Sequence, residues 1–463
     1  MFSRPVSPER LAAIPWAGAK PLAYLMARVA IAGPLEEGVW HKLFSRARIV
    51  EKTFTDREAA VSLNALKKVP RGVRNEARDW IQGLIGSDRS AGKLVGILRT
   101  AKGLNVAVIA NALVEWTRCG LELPVPLREV MMTRISEISG NLCPHQTSLL
   151  AAALGSWGWS NCALEEKIME ISSSFNPRGM VMVLNYLGGG SSDEGRKADI
   201  LLQLTPRLLE ISSQLDPQGC ALALNCLARL GDSGNSMCVK ECSNILFERF
   251  CEESVISKTS LLQLAWAVNA LIRLPVVSHL EISDQIANRI DQIFKSKTPC
   301  CDLQSALLIS HAFGKLGKGS RRTWEEISRL LVKSRRLSPG QASLAADGFG
   351  RHENKFPGFQ QLAEKLSSSI EQGVSVLKPV ELFMAIRGLG RMGVLSDSDQ
   401  SHMYLRIAVS GHLKNLVVRG DMEISTAKFL YRRYLKDSSD PDLHDLLGEV
   451  TMTALSGATS LSI

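Results

Sequence analysis

A largely apolar stretch of about fourteen residues returns about every forty residues along the chain, opened by a capping residue and often proline, and closed by glycine or proline. Its clearest copy runs from Asp216 and Pro217 through Ala221, Leu222, Ala223, Leu224, Asn225, Cys226 and Leu227 to Gly231. With Leu227 as anchor, the equivalent positions are Leu66, Leu113, Leu154, Leu187, Leu271, Phe313, Phe349, Leu389 and, more loosely, Leu430. The intervals range from 33 to 47 residues. Self-similarity at this period predicts a stack of helical hairpins, each unable to bury its apolar face alone.

The punctuation carries the same message. Ten residues before the anchor stands proline in Pro144, Pro177, Pro217, Pro339 and Pro379, and one residue earlier stand Thr55, Asn176, Asp216, Ser260, Asp302 and Ser338. A side-chain oxygen satisfies a free amide of the first turn, and proline presets φ there. Four residues after the anchor come Gly158, Gly231, Gly317 and Gly393, or Pro70 and Pro275. Glycine supplies a left-handed C-terminal residue, and proline cannot continue a helix. Each unit thus opens with a helix of roughly fourteen residues, and a more polar second helix follows, such as Lys240 to Cys251 with Leu246, Phe247 and Phe250 inward.

The expected architecture is all-α: a right-handed α-solenoid of about ten helical hairpin repeats of about 40 residues, over residues 51–436. Residues 1–50 read as an N-terminal extension with one or two helices, and residues 437–463 as an acidic C-terminal helix or tail. The start of the chain is acid-poor, with Arg4, Arg10, Lys20 and Arg28 against Glu9. It suits a mitochondrial presequence, the alternative being the first helices of the array. The apolar run from Pro21 to Gly33 is too short to span a bilayer and contains Arg28, so no membrane insertion is expected.

The ten cysteines lie mostly within helical stretches and form no repeating framework, which points to a reducing or matrix-like compartment. Cys238 with Cys242, and Cys300 with Cys301, lack the histidines or second pair of a zinc site, so buried structural thiols are expected, and no metal or cofactor. Charge changes the picture more. Residues 1–110 carry 18 basic against 9 acidic groups, residues 111–309 carry 16 against 21, residues 310–436 carry 21 against 11, and the tail has 5 acids and no base. Two basic blocks on a repeat array suit a long polyanion.

Two residues before the anchor the first helix is polar in nine of ten units: Asn64, Asn111, Asn185, Asn225, Asn269, His311, Asp347, Arg387 and Lys428, with Ala152 the exception. Two explanations stand: an internal ladder in which each amide bonds the next repeat, or a row of polar groups facing a groove. Basic clusters are the second candidate. Lys67, Lys68, Arg71, Arg74 and Arg78 run from one helix end along the next helix; Lys315, Lys318, Arg321 and Arg322 crowd one turn, and Lys333, Arg335 and Arg336 the following one. Lys428, Arg432, Arg433 and Lys436 interleave with Tyr431 and Tyr434. Phosphate contact with aromatic stacking is the grammar of single-stranded RNA recognition, whereas solvated helix ends are the plain alternative. With Arg387 these residues form the expected RNA-binding set. Catalysis is not expected: Lys315-Leu316-Gly317-Lys318-Gly319-Ser320 lacks phosphate-loop spacing and follows a helix, and the eight histidines are scattered.

In the columns around Pro217, in Leu224 to Gly231 and in Val268-Asn269-Ala270-Leu271-Ile272-Arg273-Leu274-Pro275, the chain resembles the heptatricopeptide/octotricopeptide group of organellar helical-repeat proteins over roughly residues 54–435. Some of these carry a C-terminal RAP domain; residues 437–463, short, acidic and rich in Ser and Thr, are not expected to form such a β-rich tail. The resemblance implies RNA binding in mitochondria, less so in plastids, as a ribosome component or rRNA-stabilising factor with RNA and other ribonucleoprotein subunits as partners. The second expectation is an armadillo/HEAT-like protein scaffold, which the acidic middle of the chain suits.

Overall fold

The structure, a computed structural model, describes residues 6–32, 37–87, 90–230, 236–296, 301–352, 356–395 and 403–435. It divides into two compact units, Met1–Leu215 with Arg229–Ile245, and Asp216–Ala228 with Leu246–Ile463. In the first unit the helices are α1 (Pro8–Ala12), α2 (Ala19–Ala32), α3 (Glu37–Val50), α4 (Asp56–Leu66), α5 (Arg74–Ile85), α6 (Lys93–Thr100), α7 (Gly103–Arg118), α8 (Val125–Ile138), α9 (Pro144–Trp157), α10 (Cys162–Glu170), α11 (Pro177–Gly189) and α12 (Glu194–Ile211). Helices α13 (Pro217–Leu230) and α14 (Ser236–Cys251) contribute residues to both units. The second unit continues with α15 (Glu253–Ile256), α16 (Leu261–Leu271), α17 (His279–Lys295), α18 (Leu303–Leu316), α19 (Arg321–Lys333), α20 (Pro339–Gly350), α21 (Phe359–Glu371), α22 (Pro379–Met392), α23 (Met403–Val418) and α24 (Ile424–Leu430).

The chain is therefore all-helical, as the periodicity predicts. Among the described residues the sole strands are β1 (Gly86–Ser87) and β2 (Ser90–Ala91), a two-residue antiparallel ladder. In the first unit the first helices of successive hairpins pack in sequence, α2 on α4, α4 on α7, α7 on α9 and α9 on α11. A second layer runs beside them, α3 on α5, α6 on α8, α8 on α10 and α10 on α12. The second unit repeats the plan, with α16, α18, α20, α22 and α24 in one row and α17, α19, α21 and α23 in the other. Consecutive packing of this kind is compatible with a helical solenoid.

Local chemistry explains the elements. Asn176 Oδ1 accepts from Gly179 N at 2.8 Å, Asp302 Oδ1 from Ser305 N at 2.9 Å, and Ser338 Oγ from Gln341 N at 3.2 Å, each capping a first helix. Proline occupies the first turn of α9, α11, α20 and α22. Gly158 and Gly317 end α9 and α18 at φ 70° and 64°, where a β-carbon would be strained. The anchor side chains from Leu66 to Leu430 are all buried, so truncating one to alanine costs about 2–5 kcal/mol. The uneven intervals also have causes. The longest, from Leu66 to Leu113, contains the β1–β2 hairpin and the extra helix α6, and the shortest, from Leu154 to Leu187, holds α10 of nine residues.

The first helices of the second unit touch through glycine. A β-carbon at Gly348 of α20 would collide with the Ser310 carbonyl of α18, and one at Gly388 of α22 with the backbone of Ala346 in α20. This contact brings the polar positions of three successive helices within reach of one another. Within residues 1–50, α2 packs on α4 and α3 on α5. Residues 437–463 lie outside the described residues. No helix among the described residues is long and apolar enough to cross a membrane.

Candidate nucleic-acid interface

The recurring polar position is neither uniformly sealed nor uniformly open. Asn64 is exposed, and Asn111, Asn185, Asn225 and Asn269 are half-buried. In the second unit the same position becomes His311, Asp347 and Arg387 on α18, α20 and α22, and there it forms a cluster. Asp347 is fully buried, and Arg387 clasps it with Nε and Nη2 each 2.7 Å from Oδ1. His311 Nδ1 and Arg351 Nε both lie 3.4 Å from Oδ2, as longer contacts. The Arg387 guanidinium also rests over the Phe383 ring, 4.6 Å from its centroid. Burial alone would push the Asp347 carboxyl up; the His311 contact and the charges of Arg387 and Arg351 overcome it and hold the group at about 2.

Around this carboxylate cations outnumber acids. The Lys315 ammonium is pushed below the ordinary lysine value by burial and by repulsion from Arg351, Arg387 and Arg273, against the pull of Asp347. Arg351 is lowered in the same way, by burial and by Arg387 and Arg391. Arg273, Lys315, Arg351 and Arg391 share one register: each stands four residues beyond the polar position of its own repeat, one turn further along the same face. Arg273, Lys315 and Arg391 are exposed, and Arg351 is half-buried. Arg351 also lines a cavity of about 370 Å³ with Lys318, Trp324, His352 and the Gly317–Gly319 turn. Of these four basic residues, only Lys315 stands among the candidates read from the sequence. The step of four from the polar position was the signal that would have found the rest.

The other basic candidates fall into separate places. Lys67, Lys68 and Arg71 sit at the end of α4 and the turn after it, with Lys68 and Arg71 exposed. Arg78 donates from Nη2 to the Gly120 carbonyl at 2.8 Å, and Arg74 points to Cys119 Sγ at 3.9 Å, so both serve the end of α7. The two clusters of consecutive turns do not form one patch. Lys315, Lys318, Arg321 and Arg322 lie at the start of α19, and Lys333, Arg335 and Arg336 at its far end, about 20 Å away for thirteen residues of helix. Lys318 is paired with Asp284, and Arg321 with Glu325 at 2.8 Å, which neutralises half of the first cluster. Arg322, Lys333, Arg335 and Arg336 are exposed.

At the C-terminal end Lys428 is half-buried and Arg433 exposed, while the side chain of Arg432 and all of Lys436 lie outside the described residues. Tyr431 is buried, and Tyr434 packs its ring against Gly390 and edge-on to Phe429, 6.4 Å between centroids. These rings pack α24 against its neighbour instead of offering a free stacking platform.

A second polar network lies in the first unit. Glu165 is buried, and its Oε1 accepts from the Tyr186 hydroxyl at 2.6 Å and from Ser192, with Arg196 Nε 3.4 Å from Oε2. Burial and the neighbouring carboxylate push the Tyr186 hydroxyl well above the usual tyrosine value. Every member has a partner, and the network joins α10, α11 and α12. The thiols of Cys220, Cys242 and Cys251 are pushed up to about 12, 11 and 12 by burial. Among the described residues no group of three histidine, cysteine or acidic side chains could hold a metal ion. No protein-family model and no curated protein matches the sequence.

Proposed function

We propose that the chain is a non-catalytic RNA-binding helical-repeat protein of an organellar ribonucleoprotein, most concretely a mitochondrial ribosome component or an rRNA-stabilising factor. In this reading about ten hairpins form one right-handed α-solenoid in the mitochondrial matrix, with RNA and neighbouring ribonucleoprotein subunits as partners and no cofactor. The observation that carries it is the excess of cations in the polar column of α16, α18, α20 and α22 and the column one turn beyond it, where the one acid, Asp347, is already taken up by Arg387. Such an excess gains most from phosphates, whose binding releases condensed counterions. The resemblance of the repeat columns to organellar RNA-binding repeat proteins supports the same reading.

A protein scaffold of armadillo/HEAT type is the second reading. It is favoured by the half-exposed amides of Asn111, Asn185, Asn225 and Asn269, which could grip an extended peptide backbone. Fluorescence anisotropy of the purified protein with a labelled single-stranded RNA of about twenty nucleotides separates the two. RNA retention at low salt that is lost at high salt supports the first reading. Absent retention, or retention indifferent to salt, refutes it.

A further inference from the structure

We propose that Arg273, Lys315, Arg351 and Arg391 form a phosphate-contacting stripe of the second unit, along which the backbone of a single-stranded RNA lies. The inference rests on the RNA-binding reading and names where in the second unit it acts. Its first support is register. The four residues occupy the same position of four successive hairpins, at or just past the ends of α16, α18, α20 and α22, and those helices pack on one another in that order. Neighbouring helix axes stand about 8–10 Å apart, so the stripe extends over roughly 25–30 Å. That length exceeds what one phosphate or one nucleotide could engage, and it suits a polymer.

The second support is charge. The polar column and the column one turn beyond it hold, in these four helices, Asn269, Arg273, His311, Lys315, Asp347, Arg351, Arg387 and Arg391. Asp347 is the single acid, and it faces inward, fully buried against Arg387. It fixes Arg387 and draws in Arg351, and no carboxylate is left in either column for Lys315, Arg273 or Arg391. Like charges held this close repel one another, and a bound polyanion relieves that repulsion.

A cation near a helix C-terminus is also favoured by the helix dipole alone. If that were the whole reason, the first unit would need the same residues. There the equivalent positions of α4, α7, α9 and α11 are Lys68, Glu115, Ser156 and Gly189, a cation in one case of four. Arg229 of α13, four residues beyond Asn225, holds the same position and donates to the Gly188 carbonyl at 3.3 Å, so the run of bases begins at α13 and is absent from α7, α9 and α11.

The test uses the full chain and four-fold substitution to glutamine: Arg273→Gln, Lys315→Gln, Arg351→Gln and Arg391→Gln. Binding to a labelled single-stranded RNA is measured over a salt series, with helicity and thermal unfolding as folding controls. Each phosphate contact contributes a slope of about −0.7 to log K against log salt for single strands. The four-fold variant is expected to lose about 3 of that slope and at least about tenfold in affinity at low salt. The pair Arg273→Gln with Lys315→Gln, both exposed, covers the case in which the four-fold variant does not fold, and should lose about 1.4.

An unchanged slope in a folded variant, with the parent protein binding RNA in a salt-dependent way, overturns the stripe and leaves the RNA-binding reading standing. No salt-sensitive binding by the parent protein removes both. Two competitors and one control complete the test. Equal competition by polyglutamate or by phosphatidylserine vesicles overturns the assignment to RNA in favour of an acidic protein or a membrane surface. An equal loss on neutralising the exposed Lys93 and Arg99 of α6 overturns the assignment to this stripe.

Discussion

Replacing Asp347 with alanine tests the centre of the second unit. The carboxylate is fully buried; Arg387 holds Oδ1 through two 2.7 Å contacts, and Arg351 and His311 stand 3.4 Å from Oδ2. Removing one partner of a buried ion pair costs about 3–5 kcal/mol when the remaining charge is sealed in. Here Arg387 and Arg351 keep 17% and 23% of their side chains exposed, so each can turn partly to water and the cost is smaller. A carboxyl held at about 2 instead of 3.8 gives an independent figure of about 2 kcal/mol of stabilisation at neutral pH. The expected loss is therefore about 2–3 kcal/mol. Because unfolding of a long repeat array is not all-or-none, the readout is hydrogen exchange of peptides covering α18, α20 and α22. Exchange limited by local opening should speed up about 30- to 150-fold. The sign with pH follows from a folded-state value below the unfolded one: the stabilisation is full above about pH 4 and disappears as pH falls toward about 2. Asp347→Asn keeps the shape and removes the charge, and should lose most of the same protection. Rates within about threefold of the parent in either variant would refute the reasoning.

Three further outcomes follow from the same physics. Gly348→Ala should lower local stability by about 1–3 kcal/mol, because the added carbon meets the Ser310 carbonyl, whereas Gly83→Ala in α5, with open space around it, should raise it by about 0.5–1 kcal/mol; hydrogen exchange of peptides covering α18 with α20, and α5, checks the pair. A thiol reagent at pH 8 should label the exposed Cys119, Cys143 and Cys162 and leave Cys220 and Cys242 unmodified until unfolding, and labelling of these two in the native protein would contradict their burial. Tyr186→Phe should cost about 1–3 kcal/mol, since it takes from the buried Glu165 its 2.6 Å donor, and a change below about 0.5 kcal/mol in hydrogen exchange of peptides covering α10 to α12 would show that Ser192 and Arg196 suffice.

Much of the fold was legible because the punctuation is local chemistry. Asn176, Asp216, Ser260, Asp302 and Ser338 act on amides three residues away, and Gly158, Gly317 and Gly393 need a left-handed backbone whatever surrounds them. The anchors were legible for the same reason, since each repeats an apolar demand at one fixed register. The site was legible only in part. That Asp284 neutralises Lys318 depends on how α17 meets α18's end, and the burial of Tyr431 depends on how α24 packs, neither of which a linear pattern encodes. The meeting of His311, Asp347 and Arg387 required the glycine contacts between α18, α20 and α22. The polar column could be read from sequence, but which of its members would be sealed could not. The basic column one turn further on was within reach of the sequence.

The central claim, that the second unit holds RNA, is tested most directly by ultraviolet crosslinking of the full chain to single-stranded RNA, followed by mass spectrometry of the attached peptides. The account predicts adducts concentrated in peptides from residues 261–392, around Arg273, Lys315, Arg351 and Arg391, and their loss at high salt. Adducts confined to residues 6–211, or none above those of an unrelated protein, would contradict it.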